Sequence, residues 1–160
     1  MTRPIVALAL GLCVVTAACG GGGADPEPLV ASTLSGQYEG KAFTPVNGFA
    51  TLYENKNMVA FGDGPLNCDS PSASAPPSGI NAVFAVPDMA VGSYSSLLVM
   101  IYYNKSGHYE ASGTNTGSVT ITSVTDTSVG GTISYSRTDE DGLTSGVSGS
   151  FEVFRCPSSP

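Results

Sequence analysis

Polar and apolar residues alternate most clearly in the last third of the chain. In "GSVTITSV", Val119 and Ile121 fall on one face and Thr120 and Thr122 on the other. "GGTISYSR" repeats the arrangement, with Ile133 and Tyr135 against Thr132, Ser134 and Ser136. A period of two is the signature of a half-buried β-strand. The turn residues "TDTS", Thr125 to Ser128, lie between the two segments and predict an antiparallel hairpin. After "DEDG" the pattern returns in "GVSGSFEVF", with Val147, Phe151 and Val153 on the inward face. Three consecutive strands of this kind make a meander or part of a Greek key.

Upstream, "GQYEGKAFTPV", "GFATLYEN" and "NMVAFGDG" predict three short strands, "NAVFAVP" and "SSLLVMIYYN" two more, and "GHYEASG" another. "LLVMIYY" is apolar at both parities, so it is the candidate for a central strand covered on both faces. No window of eleven or more residues beyond the N-terminal region carries a helical stripe. The expected fold class is all-β, an antiparallel sandwich or flattened barrel of about eight to ten strands, following a cleaved signal and a flexible tether. The Pro- and Ser-rich stretch from Asp69 to Gly79 is expected to be an exposed loop.

The N-terminus has a different texture. Arg3 precedes the uncharged run Ile5 to Val15 and the small residues of "TAAC", the layout of a secretory signal. The run has about 11 residues, whereas a retained membrane-spanning helix needs roughly 20. Thr16 to Cys19 resembles the lipobox of bacterial lipoproteins, matching at Ala17, Ala18 and Cys19 and departing at Thr16, where an aliphatic residue is usual. The resemblance implies acylation of Cys19, which becomes the new N-terminus. With Gly20 rather than Asp after the cysteine, it further implies the outer membrane more than the inner. "GGGGADPEP" then reads as a tether without core-forming residues. The expected organisation is a signal over 1–18, a tether over 19–33 and one all-β domain over 34–157. The part of the tether from Gly20 to Ala31, about 12 residues, would stand the domain off by roughly 20 Å on average if flexible.

Four cysteines sharpen this reading. Cys13 leaves with the signal and Cys19 takes the lipid, so Cys68 and Cys156 remain and are most simply a disulfide in an oxidising compartment. The part from Cys19 onward carries five Lys and Arg against thirteen Asp and Glu, a net charge of −8. That balance opposes nucleic acid and anionic lipid headgroups as partners. Only 12% of residues are charged, and Ser, Thr and Gly abound, as in exported β proteins. The lipobox, the early "GKAF" strand, the "GSVTITSVTDTSVGGTISYS" hairpin and the closing "SGSFEVFRCP" together resemble small exported β-domain lipoproteins of environmental bacteria. That resemblance covers Leu34 to Pro157 and brings no catalytic residues with it.

Candidate chemistry is sparse. His108 is the sole histidine and there is no Cys-x-x-Cys spacing, which argues against a zinc site. Ser148, His108 and either Asp126 or Asp139 follow the chain order of chymotrypsin-like proteases, but the chain is much shorter than such an enzyme and Ser148 falls within a strand. Asp139 and Asp141 could contribute to a weak calcium site, although Leu143 and Thr144 stand where the calcium-loop pattern needs a ligand and a glycine. The plainer expectation is a hairpin turn built on Asp141 and Gly142. Tyr94, Tyr102, Tyr103 and Tyr109 could form a sugar platform, but they fit core and rim packing better. No carboxylate pair stands out as glycosidase-like, and nothing calls for a cofactor. The expectation is a lipid-anchored envelope protein with a non-enzymatic domain, structural or protein-interacting, whose partner is an envelope protein or a glycan.

Overall fold

The computed structural model describes Leu29, residues 31–64, Leu66, Cys68, residues 79–105 and residues 108–157, with the backbone alone at Lys105, His108 and Tyr109. Cys19 and the signal and lipobox residues around it lie outside the described residues. In chain order the strands are β1 (Ala31–Ser32), β2 (Ser35–Tyr38), β3 (Lys41–Phe43), β4 (Asn47–Tyr53) and β5 (Lys56–Gly62). They continue with β6 (Gly79–Val86), β7 (Gly92–Lys105), β8 (His108–Val124), β9 (Ser128–Thr138) and β10 (Thr144–Arg155).

The strands form one ten-stranded sheet that closes into a seven-stranded barrel. From β4 to β9 each strand pairs antiparallel with the next, and β9 pairs with β10 over its whole length. Closure comes from the end of β10, which runs parallel to β4 and pairs Phe154 with Phe49 and Arg155 with Ala50. The earlier part of β10 pairs instead with β2 and β1. Of the two expected architectures, the barrel is the one adopted. Closure satisfies backbone donors and acceptors that an open sheet leaves at its edges.

Alternation dictates which residues fill the barrel. Val119 and Ile121 on β8, Val129, Ile133 and Tyr135 on β9, and Val147, Phe151 and Val153 on β10 are all buried. They meet Val59 and Phe61 on β5, Ile80, Ala82 and Phe84 on β6, and Val99 and Ile101 on β7 in one core. Its centre is aromatic: the Phe151 ring centroid lies 5.9 Å from both Phe61 and Phe84, and Phe61 and Phe84 are 6.1 Å apart. Gly149 interrupts the inward row of β10. Its φ of +130° is open to glycine, and a Cβ there would stand 2.5 Å from the Thr33 carbonyl oxygen, where the chain bends between β1 and β2.

Several local expectations are corrected. "GQYEGKAF" is a hairpin, β2 and β3, because Glu39 and Gly40 take left-handed φ values of 48° and 80° and turn the chain back. "GHYEASG" and "GSVTITSV" are one strand of 17 residues, since β7 supplies a partner along both. "LLVMIYY" is not covered on both faces. Leu97, Val99 and Ile101 point inward, while Leu98 is 49% exposed. A register shift between Tyr94 and Leu97, with Ser96 at φ 57°, marks a bulge just before this run. Residues ahead of 34 also bond to the barrel. Leu29 donates its N–H to the Val46 carbonyl at 3.1 Å, and Ala31 and Ser32 pair with Glu152 and Phe151.

A second, smaller cluster lies outside the barrel wall. Phe49 on β4 and Ala60 on β5 face outward and are covered by Leu66, with Cys68, Val83 and Cys156 against them. The Cys68–Cys156 disulfide, with Cα atoms 5.5 Å apart, fastens this cover to the end of the chain. Cys156 N–H also donates to the Ala50 carbonyl at 2.8 Å, extending the parallel seam.

Candidate functional site

The inward face of the sheet changes character toward one end of the barrel. On β8 the apolar inward residues give way to Thr114, Ser112 and Glu110, which lie opposite Val99, Ile101 and Tyr103 of β7. On β9 the inward parity of Ile133 and Tyr135 continues to Arg137, opposite the buried Ser145 of β10. The β2–β3 hairpin lies beside this polar end. Its Tyr38 ring is 5.8 Å from the Tyr103 ring, and Lys41 Nζ donates to the Tyr103 hydroxyl at 2.7 Å, with its ammonium 4.1 Å from the ring centroid. Two bonds pin the hairpin tip to β10: Glu39 N–H to Ser145 Oγ at 3.0 Å and Gly40 N–H to the Thr144 carbonyl at 2.9 Å.

Burial and nearby carboxylates together hold the proton on Tyr38. Burial pushes the Tyr38 hydroxyl up to about 12, and the nearby Glu39 and Glu110 carboxylates, together with a hydrogen bond to Glu39, reinforce the shift. Arg137 is half-buried and donates from Nη1 to Ser112 Oγ at 3.3 Å. Two residues back on the same face, the Tyr135 hydroxyl is buried and has no hydrogen-bond partner.

Two depressions mark the barrel surface among the described residues. One, of about 310 Å³, overlies Gly36 and Gly146 between the Ser35, Gln37, Ser136 and Ser148 side chains. The other, of about 110 Å³, lies toward the opposite end beside Leu52, Asn57, Met89 and Arg155. The outer wall around the first is hydroxylic. Register aligns Ser35, Ser148, Ser134 and Ser118 in one row and Ser150, Thr132, Thr120 and Ser93 in the next.

The residues singled out in the sequence fall in separate places. Ser148 belongs to that outer hydroxyl row. His108 pairs with Lys105 at the β7–β8 turn, at the mouth end, whereas Asp126 sits in the β8–β9 turn beside the far end of β10. Asp139 and Asp141 occupy the β9–β10 turn. There Asp139 Oδ1 accepts the N–H groups of Asp141 at 3.0 Å and Leu143 at 2.8 Å, and Gly142 takes φ +81°. Among the described residues, no group of three or more His, Cys, Asp or Glu side chains could hold a metal. Cys68 and Cys156 are brought together as expected.

The tyrosines divide. The Tyr94 hydroxyl lies 3.0 Å from the Asp88 carbonyl and 2.9 Å from that of Ala90, Tyr103 lines the mouth, and Tyr102 is half-buried on the outer wall, its hydroxyl pushed up by burial. They do not form one platform among the described residues. Tyr38, Lys41, Tyr135 and Arg137 were not singled out from the sequence as site residues. The signal was present for two of them, because "ISYSR" places a tyrosine and then an arginine on the parity of Ile133.

No described helix is long and apolar enough to cross a membrane. Compared with protein families, with curated proteins and with solved structures, the chain matches none.

Proposed function

We propose that this chain is a lipid-anchored cell-envelope protein, tethered through Cys19, whose barrel is a non-enzymatic recognition module for another envelope protein. The observation that supports this reading is the filled interior. Phe61, Phe84 and Phe151 occupy the barrel's centre with the β-branched residues around them, so contact with a partner falls to the outer wall and the ends. The hydroxyl rows on the wall are neutral and ordered by register, a surface suited to close packing without charge repulsion from an acidic chain. A second reading, a carbohydrate- or small-ligand-binding module, draws on the polar mouth around Arg137 and Tyr103.

Photo-crosslinking in the producing cells tests the first reading. A photoreactive residue placed at Ser134 on the hydroxyl wall, and separately at Met100 on the outer face of β7, should give a discrete adduct with one envelope protein from one position and not the other. Absence of protein adducts from both positions, in a protein that is present and folded, overturns it. Anchorage is tested alongside by metabolic labelling with palmitate, which Cys19→Ala should abolish.

A further inference from the structure

Arg137 is the unusual residue of the mouth. A guanidinium carries five N–H donors, and a half-buried one is ordinarily matched by a carboxylate, because an unpaired cation in a low-dielectric site is costly. The chain has thirteen Asp and Glu carboxylates, yet the one side-chain hydrogen bond of Arg137 among the described residues goes to the neutral Ser112 hydroxyl. Tyr135 repeats the anomaly. It is 4% exposed, and its hydroxyl donates to nothing, although a buried hydroxyl without a partner costs about 1 to 3 kcal/mol. Residues two apart on a strand share a face, with Cα atoms about 7 Å apart, so Tyr135 and Arg137 project from the same inward side of β9.

We propose that the barrel mouth binds the carboxylate of a small organic acid, held by the Arg137 guanidinium, with the Tyr135 hydroxyl as a second donor from the apolar side. A planar carboxylate matches the guanidinium fork in a way that a neutral acceptor does not. Two carboxylates border the site: Glu110 lies opposite Tyr103 on the neighbouring strands, and Glu39 sits at the tip of the β2–β3 hairpin, so the bound acid is a small one that leaves both in solvent. Lys41 is committed to Tyr103 and walls the hairpin side. The Ser112 hydroxyl holds the Arg137 guanidinium toward β8, and backbone pairing with Ser145 fixes the strand that carries it.

The test is a titration of the isotope-labelled soluble chain, from residue 20 onward with both barrel cysteines oxidised, using sodium acetate against sodium chloride at equal ionic strength. Amide signals of Ser112, Arg137 and Ser145 should move saturably, with a dissociation constant on the order of 1 mM or tighter. Arg137→Gln should abolish the saturable shift. Arg137→Lys should weaken it about tenfold, because the bidentate geometry is lost while the charge stays. Tyr135→Phe should weaken it about fivefold while leaving the fold intact, since the hydroxyl has no partner to lose. No saturable shift in the folded wild-type chain overturns the proposal. So does an equal shift in Arg137→Gln, or a response of the same signals to glucose with none to acetate. A failed titration leaves the recognition role standing, because the crosslinking positions lie on the outer wall.

Discussion

Replacing Cys68 and Cys156 together with alanine reopens a loop of 88 residues that spans most of the barrel. In the chain-entropy treatment, a closure of that length withholds about 15 cal/mol/K from the unfolded ensemble, or about 4.6 kcal/mol at room temperature. Native contacts at the site survive the change. Cys156 N–H still bonds the Ala50 carbonyl, and Leu66 still covers Phe49 and Ala60. The loss should therefore arise mainly in the unfolded state. A domain of about 130 residues has an unfolding entropy near 270 cal/mol/K, so the melting temperature should fall by about 17 °C. Urea melts of the oxidised protein and the double-alanine variant separate the mechanisms. The variant should show a lower midpoint and also a steeper dependence on urea, because its unfolded chain expands and exposes more surface. A loss below about 1.5 kcal/mol with an unchanged slope would refute the entropic account and make the bond a local fastening only.

Phe151→Ala should cost about 3 to 5 kcal/mol, since it removes the ring that touches both Phe61 and Phe84 at the barrel's centre; a loss under about 1.5 kcal/mol in denaturant melts would show that the centre is not packed as described. Tyr38 ties stability to alkaline pH. Its folded value of about 12 exceeds the ordinary 10, so the folded state holds that proton more tightly. Its contribution is fully present below pH 10 and is lost as pH rises toward 12; Tyr38→Phe should flatten that decline, and a decline of unchanged size in the variant would assign it to other groups. Asp139→Ala should cost about 1 to 2 kcal/mol by freeing the Asp141 and Leu143 N–H groups. Because that carboxylate is already engaged by backbone, millimolar calcium should leave the melting temperature within about 1 °C, and a rise above about 3 °C would restore calcium as a ligand of this turn.

Alternation along the chain was enough to determine the β class, the β8–β9 hairpin and the inward faces of the last strands, because a side chain's face follows directly from its parity. Val119, Ile133, Val147, Phe151 and Val153 are read inward from sequence and are buried in the barrel. The cysteine pairing was legible too, once Cys13 and Cys19 were set aside. What parity leaves open is which partner a strand meets. "LLVMIYY" is apolar on both faces, yet only the Leu97 face meets the core, while Leu98 on the outer wall is 49% exposed. "EGK" looks like a continuation until backbone bonds from Glu39 and Gly40 to β10 hold the turn in place. Barrel closure itself rests on a parallel seam between residues more than a hundred positions apart, Phe49 with Phe154 and Ala50 with Arg155, and no local pattern encodes such a pairing. The mouth divides in the same way. Arg137 is visible in sequence as a cation on an apolar parity, and Ser112 and Tyr103 lie on the strands that precede β9 in the meander, but only the long-range pairing of β2 with β10 brings the β2–β3 hairpin, with Tyr38 and Lys41, beside them.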